Sequence, residues 1–215
     1  MEIIPAVLEK NLKSIEKTLI KLEPHFSKAQ IDVGDGKLVP EKFGCLDKLN
    51  QVNTKIDLEL HLMTEAPWEK IEIIKEGNFR KISFHYEAFL SIKKKNRAFA
   101  INNLINRIKS EKIEVGLAIN PETPPNQIID YIEKVDEVLL LGVNPGKQGQ
   151  EFQELVLDKI NFLKNFREDL LIGLDGGIND KNISLIKKAG IDIVYIGSFL
   201  MKSEDIEITL QKLNK

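Results

Sequence analysis

The stretch LLIGLDGGINDKNISLIKKAGIDIVYIGS, residues 170–198, decides the fold that the sequence predicts. Two short apolar runs, 170–174 and 193–196, flank a segment, 182–189, whose apolar residues recur at helical spacing. Each apolar run leads into a glycine-containing turn. The stretch therefore predicts a β-α-β unit with polar loops at the strand ends.

The same strand-then-helix rhythm extends outward over the rest of the chain. The predicted strands cover 2–5, 29–33, 56–63, 81–85, 115–119, 138–143, 170–174 and 193–196. The predicted helices cover 11–22, 42–51, 67–76, 99–109, 124–134, 152–166, 182–189 and 203–213. Eight such units, averaging about 27 residues, favour a (β/α)₈ TIM barrel, with a doubly wound open sheet as the rival architecture. Because no Gly/Ser-rich linker interrupts the chain, we expect one domain over residues 1–215.

Composition narrows the class of protein. With 42% hydrophobic and 30% charged residues, the chain is not expected to be disordered. The 31 basic residues are balanced by 33 acidic ones, so no electrostatic surface for nucleic acid is predicted. No apolar run approaches the roughly 18 residues of a membrane span, and the first ten residues lack the basic start of a signal peptide. A single cysteine, Cys45, fits a reducing cytoplasm.

In a barrel of this kind, functional side chains follow the carboxyl ends of the strands. Glycines crowd the last three of these ends, where backbone amides can bind a phosphate group. The residues concerned are Gly146, Gly149, Gly176, Gly177, Gly197 and the adjoining Ser198. A phosphorylated substrate is the functional interpretation, and turns that require positive φ are the structural alternative.

Ionisable residues follow the second, third, fourth and seventh predicted strands. Asp32 and Asp175 end the second and seventh predicted strands and are expected to point into the barrel mouth, where one carboxylate can remove a proton and the other return one. His61, within reach of both, would complete a divalent metal site. The alternative is that the aspartates cap helices and the histidine is hydrogen-bonded in the core. His85 and Glu87 end the fourth strand, and no catalytic role is assigned to them.

An ordered series of motifs resembles the ribulose-phosphate 3-epimerase family. The resemblance begins at IIPAVL (3–8) and ends at Ser198. The motifs are IDVGDGKLVP (31–40), ELHLM (59–63), FHYEA (84–88), GLAINPETP (116–124), VNPGKQGQEF (143–152), LDGGI (174–178) and AGIDIVYIGS (189–198). This resemblance implies a TIM barrel of the ribulose-phosphate-binding type.

The resemblance also implies a set of site residues. A divalent ion (zinc, iron, manganese or cobalt) would be held at the positions of Gln30, Asp32, His61 and Asp175, with the two aspartates as the acid/base pair. Gln30 stands where the family has a histidine, and an amide oxygen favours harder ions than imidazole does. The implied phosphate site comprises Gly146, Lys147, Gln148, Gly149, Gly176, Gly177, Gly197 and Ser198.

Further departures from the family cluster at the barrel mouth. Ala6 replaces a serine, Gly34 and Leu141 replace methionines, and the loop from Gly146 to Gly149 has the sequence GKQG rather than GFGG. Phosphosugar decarboxylases and aldol enzymes that resemble this chain carry a lysine at the position of Gly34, so their chemistry is disfavoured.

We therefore predict a metal-dependent epimerase that inverts C3 of a ketose phosphate, such as ribulose 5-phosphate, through an enediolate. The alternatives are a sugar-phosphate-binding barrel without turnover and a related isomerase or lyase of changed specificity. The phosphorylated ketose is the expected partner, nucleic acid and membranes are not, and the resemblance implies a homo-oligomer.

Overall fold

The computed structural model describes residues 1–147 and 149–214. Within them, eight parallel strands close into a barrel surrounded by helices, which confirms the predicted (β/α)₈ architecture and excludes the open sheet. The barrel strands are β1 (Glu2–Val7), β2 (Lys28–Asp35), β4 (Asp57–Met63), β5 (Phe79–His85), β6 (Glu114–Ile119), β7 (Glu137–Leu141), β8 (Leu171–Asp175) and β9 (Ile193–Ile196). The barrel closes because β1 pairs with both β2 and β9.

The helices follow the strands along the chain. They are α1 (Leu12–Leu22), α2 (Ile71–Lys75), α3 (Lys94–Ser110), α4 (Ile129–Ile132), α5 (Asp158–Phe166), α6 (Ile183–Lys188), α7 (Ser198–Met201) and α8 (Ile206–Leu213). Within the described residues, none of them combines the length and the apolar character needed to cross a bilayer.

Two helices show how local sequence places these boundaries. Asn11 caps α1 by accepting a hydrogen bond from the Ser14 amide, and Asp205 caps α8 by accepting one from the Ile208 amide. Ile15 and Leu19 then fall on one face of α1 and are buried against the barrel. The helix predicted over 11–22 matches α1 closely, whereas the helix predicted over 203–213 starts three residues too early, because the Asp205 cap sets the start of α8.

The helix predicted over 42–51 is wrong in its first half. Residues Lys42–Phe43 instead form a short strand, β3, antiparallel to the end of β2, and a 3₁₀ helix follows over Leu46–Gln51. The Asp35 carboxylate accepts hydrogen bonds from the amides of Lys37 and Leu38, which turns the chain back toward β2. The Phe43 ring is thereby buried at the barrel mouth.

The helix predicted over 124–134 is also shorter than expected. Only a 3₁₀ turn (Pro125–Gln127) and the single turn α4 form there. One short helix, α7, was not predicted. It begins at Ser198, shortly after β9 ends. The prediction of one domain over residues 1–215 stays a prediction.

The buried apolar residues of the described chain form three clusters. The largest lies between the strands and the helices, a smaller one fills the barrel interior, and the third consists of Val39, Phe43 and Met63. The interior group consists of Ile4, Ala6, Ala118, Leu139, Leu141, Ile193 and Tyr195. Asp175 and the other acidic and imidazole side chains described below lie at the strand ends, above this group.

A buried ionic cluster also lies within the barrel. The Lys81 ammonium is 2.8 Å from a Glu59 carboxylate oxygen and also contacts Glu137 and the Tyr195 hydroxyl. Burial opposes the charge on Lys81, but the two glutamates outweigh it and raise its pKa. Gly173 makes room for the cluster, because a Cβ there would lie 2.3 Å from a Glu137 carboxylate oxygen. One ammonium thus offsets two buried carboxylates.

Replacing Lys81 tests whether this cluster stabilises the fold. We expect Lys81→Met to lower the free energy of unfolding by about 3–5 kcal/mol, because it leaves two carboxylates buried without their cation. Urea unfolding followed by circular dichroism measures the change. The control is Lys28→Met, which removes a lysine that pairs with Glu2 at 2.8 Å but is partly exposed, and it should cost less than about 1 kcal/mol. Equal losses in the two variants would contradict the proposed role of Lys81.

Candidate functional site

Four polar side chains meet inside the carboxyl end of the barrel. Gln30 and Asp32 are two residues apart on β2 and therefore point to the same face of the sheet. Asp32 pairs in register with His61 on β4, and Asp175 ends β8. The fold thus brings together the three residues predicted from strand ends and the Gln30 position implied by the resemblance.

The distances show that the two aspartates converge on one imidazole. Nδ1 of His61 lies 3.2 Å from Oδ1 of Asp32 and 3.2 Å from Oδ2 of Asp175. The His61 side chain is fully buried, and the Asp32 and Asp175 side chains are only 8% and 12% exposed. Asp32 lies within β2 and Asp175 ends β8, so neither is the N-cap of a described helix. His61 is buried and hydrogen-bonded, as the alternative for the histidine expects.

Gln30 joins the same cluster. Its Nε2 donates hydrogen bonds to Oδ1 of Asp32 at 3.0 Å and to Oδ2 of Asp175 at 2.7 Å, and lies 3.5 Å from Nδ1 of His61. The end of its amide therefore faces all three ionisable groups. A side chain at this position is well placed either to bridge the carboxylates or to share a cation with them.

Burial controls the electrostatics of the cluster. Burial raises the pKa of Asp32 to about 6, and the neighbouring Asp175 charge adds to this effect. Burial opposes protonation of His61, but hydrogen bonds to Asp175 and Asp32 raise its pKa to about 9. Even a protonated His61 supplies one positive charge against two carboxylates, so the cluster retains a negative charge that a divalent cation would neutralise.

The donor set fits a divalent metal ion. One atom from each of Asp32, His61 and Asp175 lies within 4.8 Å of the others, and all three residues are buried. Two ligands about 2.1 Å from one ion lie roughly 3.0–3.4 Å apart in octahedral or tetrahedral geometry, which matches the two 3.2 Å separations. Carboxylates with an imidazole suit first-row divalent ions. The group is therefore consistent with a divalent metal.

Behind His61 lies a second row of hydrogen-bonded residues. Nε2 of His61 is 2.9 Å from Nε2 of His85, and Nδ1 of His85 is 3.3 Å from a carboxylate oxygen of Glu87. Burial lowers the pKa of His85, whereas its hydrogen bond lowers the pKa of Glu87 against the opposing effect of burial. No catalytic role was predicted for His85 and Glu87, and the only sequence feature that could have indicated them is their His-x-Glu spacing at the end of β5.

The predicted phosphate site lines the same cavity as the acidic cluster. Asp32, His61 and Asp175 form part of the cavity wall. The remaining predicted residues on that wall are Gly146, Lys147, Gly149, Gly176, Gly177, Gly197 and Ser198. Gln148, which belongs to the predicted set, lies outside the described residues. The cavity continues into a wider groove through Gly149, Gln150, Gly177 and Ser198.

Two features shape the loops of this cavity. Gly176 and Gly177 have φ of 104° and 74°, and a Cβ on Gly177 would lie 2.8 Å from the Phe152 backbone, so both the conformation and the space require glycine. The Gln150 amide donates hydrogen bonds to the carbonyls of Asn144 and Lys147 at 2.6 and 2.9 Å, which fixes the loop between them.

Apart from Gln30, two of the three positions at which single residues depart from the family lie on the cavity wall. Ala6 and Leu141 are on the cavity wall. Gly34 is not: a Cβ there would lie 2.6 Å from the Phe43 ring, so the ring of β3 occupies the space that a larger side chain would need. The β3 hairpin, which the sequence did not predict, therefore explains why glycine stands at position 34.

Solved structures similar to this chain are TIM-barrel enzymes. 3-Hexulose-6-phosphate synthase from Salmonella typhimurium aligns with a TM-score of 0.69 at 14% identity, over 99% of this chain and 96% of that one. The tryptophan synthase α-subunit from Pyrococcus furiosus aligns with a TM-score of 0.68 at 14% identity, with the same coverage. At these identities the comparison supports the fold.

Sequence comparison is more specific. Ribulose-phosphate 3-epimerase from Helicobacter pylori is 32% identical over 220 aligned residues, which cover 99% of this chain and 96% of that protein. The enzyme of the same name from Bacillus subtilis is 30% identical, with coverage of 95% and 94%. A family model for the ribulose-phosphate 3 epimerase family matches residues 2–201. The chain therefore belongs to the ribulose-phosphate 3-epimerase family.

Proposed function

We propose that this protein is a metal-dependent epimerase that inverts C3 of a ketose phosphate, converting ribulose 5-phosphate to xylulose 5-phosphate or acting on a close analogue. The observation that carries the proposal is the convergence of Asp32 and Asp175 on His61 at the wall of one cavity, in a chain of this family.

The two carboxylates have complementary roles in this reaction. One aspartate removes the C3 proton from one face of the sugar and the other delivers a proton to the opposite face, which inverts the carbon. We assign removal to Asp32 and delivery to Asp175 in one direction, with the roles exchanged in the other. In the metal-free cluster, burial raises the pKa of Asp32 to about 6, so this carboxyl can exchange a proton near neutral pH.

Asp32, His61, Asp175 and Gln30 would hold the metal ion. When bound, a divalent cation stabilises the negative charge of the enediolate. Zinc, iron, manganese and cobalt all fit a set of two carboxylates and one imidazole. Gln30 has to present its amide oxygen to such an ion, since the nitrogen has no free lone pair to donate.

The glycine-rich loops are proposed to bind the substrate phosphate. Backbone amides near Gly176, Gly177, Gly197 and Ser198 lie on the wall shared with the acidic cluster, so one small molecule can contact both. Gly146, Lys147 and Gly149 face them across the cavity, and we include Gln148 in this set from its place in the motif. Self-association and a cytoplasmic location are further proposals, supported by the family resemblance and by the single cysteine.

Solvent deuterium exchange at C3 tests the proposal. We expect the metal-loaded protein in D₂O to convert ribulose 5-phosphate to its C3 epimer and to label C3 in both epimers, as seen by NMR. Asp175→Asn and Asp32→Asn should each slow epimerisation by about 10²–10⁴-fold, the usual contribution of a general acid or base. Each variant should still label only the epimer whose C3 proton faces its remaining carboxylate.

The control is Asp57→Asn, an exposed aspartate at the opposite end of the barrel, which should behave as the wild type. Absence of C3 labelling in metal-loaded protein with both pentulose and hexulose phosphates would refute the epimerase proposal. Labelling of both epimers in each site variant would refute the division of roles between Asp32 and Asp175.

Gln30 has its own test. If its amide oxygen is a ligand, Gln30→His should raise zinc affinity by at least about tenfold, since an imidazole is the better zinc donor, and Gln30→Ala should lower it by a similar factor. Competition with a chromophoric chelator measures both, and removal of the ion by that chelator should abolish epimerisation. Equal affinities of the wild type and Gln30→Ala would exclude Gln30 from the ligand set.

A further inference from the structure

The two buried histidines of the barrel mouth meet edge to edge. The rings of His61 and His85 are nearly parallel, at 14°, with centroids 5.0 Å apart. Their Nε2 atoms approach to 2.9 Å, which is shorter than the ~3.5 Å of stacked ring faces and typical of an N–H···N hydrogen bond. One of the two nitrogens must therefore carry the proton and the other must present its lone pair.

Glu87 favours one direction for this hydrogen bond. A carboxylate only accepts, so the contact from Glu87 to Nδ1 of His85 places a proton on that nitrogen. In neutral His85 the lone pair is then on Nε2, where it accepts a proton from Nε2 of His61. Nε2 of His61 is therefore the nitrogen that keeps its proton. Nδ1 lies between Asp32 and Asp175, donates to these carboxylates when it is protonated, and presents a lone pair only once that proton is released to make way for a cation.

The Glu87 carboxylate is held in place through its other oxygen. Oε1 accepts a hydrogen bond from the Asn120 amide at 2.9 Å and one from the Thr123 hydroxyl. Lys159 on α5 donates to the carbonyls of the same two residues, at 2.7 and 2.8 Å. The loop after β6 is thus tied on one side to Glu87 and on the other to an outer helix.

We propose that Glu87 and His85 are positioning residues that hold the Nε2 proton of His61 in place, so that Nδ1, between the two aspartates, is the nitrogen that exchanges its proton for a metal ion. Neither residue lines the cavity, so both act through His61. This inference rests on the proposed metal-dependent function, because a metal ligand must present a lone pair. A ligating imidazole usually donates its second N–H to a partner that fixes its orientation, and here the partner is a histidine backed by a carboxylate.

Glu87→Gln is the sharpest test, because it preserves size while replacing one acceptor by a donor. If the new amide oxygen keeps the hydrogen bonds from Asn120 and Thr123, its NH₂ group faces Nδ1 of His85. His85 then carries its proton on Nε2, and the proton of His61 moves to Nδ1, where it blocks a metal. We expect the affinity for Co²⁺ or Zn²⁺ to fall about 10–100-fold.

Nitrogen-15 NMR reads the tautomer directly and does not depend on activity. The chain has three histidines, His25, His61 and His85, so long-range ¹H–¹⁵N spectra of the metal-free protein resolve every ring. In the wild type, His85 should be protonated at Nδ1, and in Glu87→Gln at Nε2. The exposed Glu65 on the loop after β4 provides the matched control, because Glu65→Gln should change neither the tautomer nor the affinity.

The outcomes separate this inference from the proposed function. A wild-type His85 protonated at Nε2, or an unchanged tautomer and metal affinity in Glu87→Gln, would overturn the inference even if epimerisation is observed. If the wild-type protein binds Co²⁺ but does not label C3, the proposed epimerase activity is refuted. The inference about Glu87 and His85 is then decided by the tautomer measurement alone. If Glu87→Gln does not fold, His85→Phe replaces it, and the loss of the acceptor for His61 should again lower metal affinity about 10–100-fold.

Discussion

The site depends on the cost of holding two carboxylates together in a place that excludes water. Asp32 and Asp175 approach the same imidazole nitrogen, and each loses most of its hydration. For Asp32, burial raises the pKa and so favours the protonated form. The imidazole of His61 and the amide of Gln30 offset part of this cost through hydrogen bonds, and a divalent cation would offset the remainder. The same imbalance of charge that makes the site costly makes it suited to bind a cation and to exchange protons.

The barrel interior also contains a second set of buried charges. The barrel holds an acidic cluster at its mouth and an ionic cluster around Lys81, together with the interior apolar group that includes Leu139 and Ile4. Each charged group thus has its own partners, and the two clusters do not share them. Gly173 leaves space for the longer side chains of the Lys81 cluster, because a Cβ there would collide with the Glu137 carboxylate and crowd the Tyr195 ring.

The connection from α5 to His61 extends the site beyond the residues that line the cavity. It passes from Lys159 to the loop after β6, then to Glu87, His85 and His61. Every step is a hydrogen bond between groups that are buried or nearly so, which makes each donor and acceptor costly to leave unpaired. The orientation of the imidazole at the centre of the site is therefore set by elements on the outside of the barrel.

Local features of the sequence predicted most strands and helices, whereas the elements that were missed depend on tertiary contacts. The strands and the capped helices were predictable, because alternation, helical periodicity and capping residues such as Asn11 and Asp205 act within a few residues. The β3 hairpin was not, because its partner is the end of β2 and the Phe43 side chain is placed by burial at the mouth. Short helices such as α4 were overestimated for the same reason, since packing on the barrel decides how far they extend.

The sequence by itself determined the barrel, the glycine-rich strand ends and the candidate positions of Asp32, His61 and Asp175, since these follow from patterns that repeat along the chain. Only the tertiary structure decided that Gln30 bridges the two carboxylates and that Glu87 reaches His61 through His85. The physical reason is distance along the chain: Asp175 lies 145 residues from Gln30, and a hydrogen bond between them exists only because closure of the barrel brings β2 and β8 to one cavity.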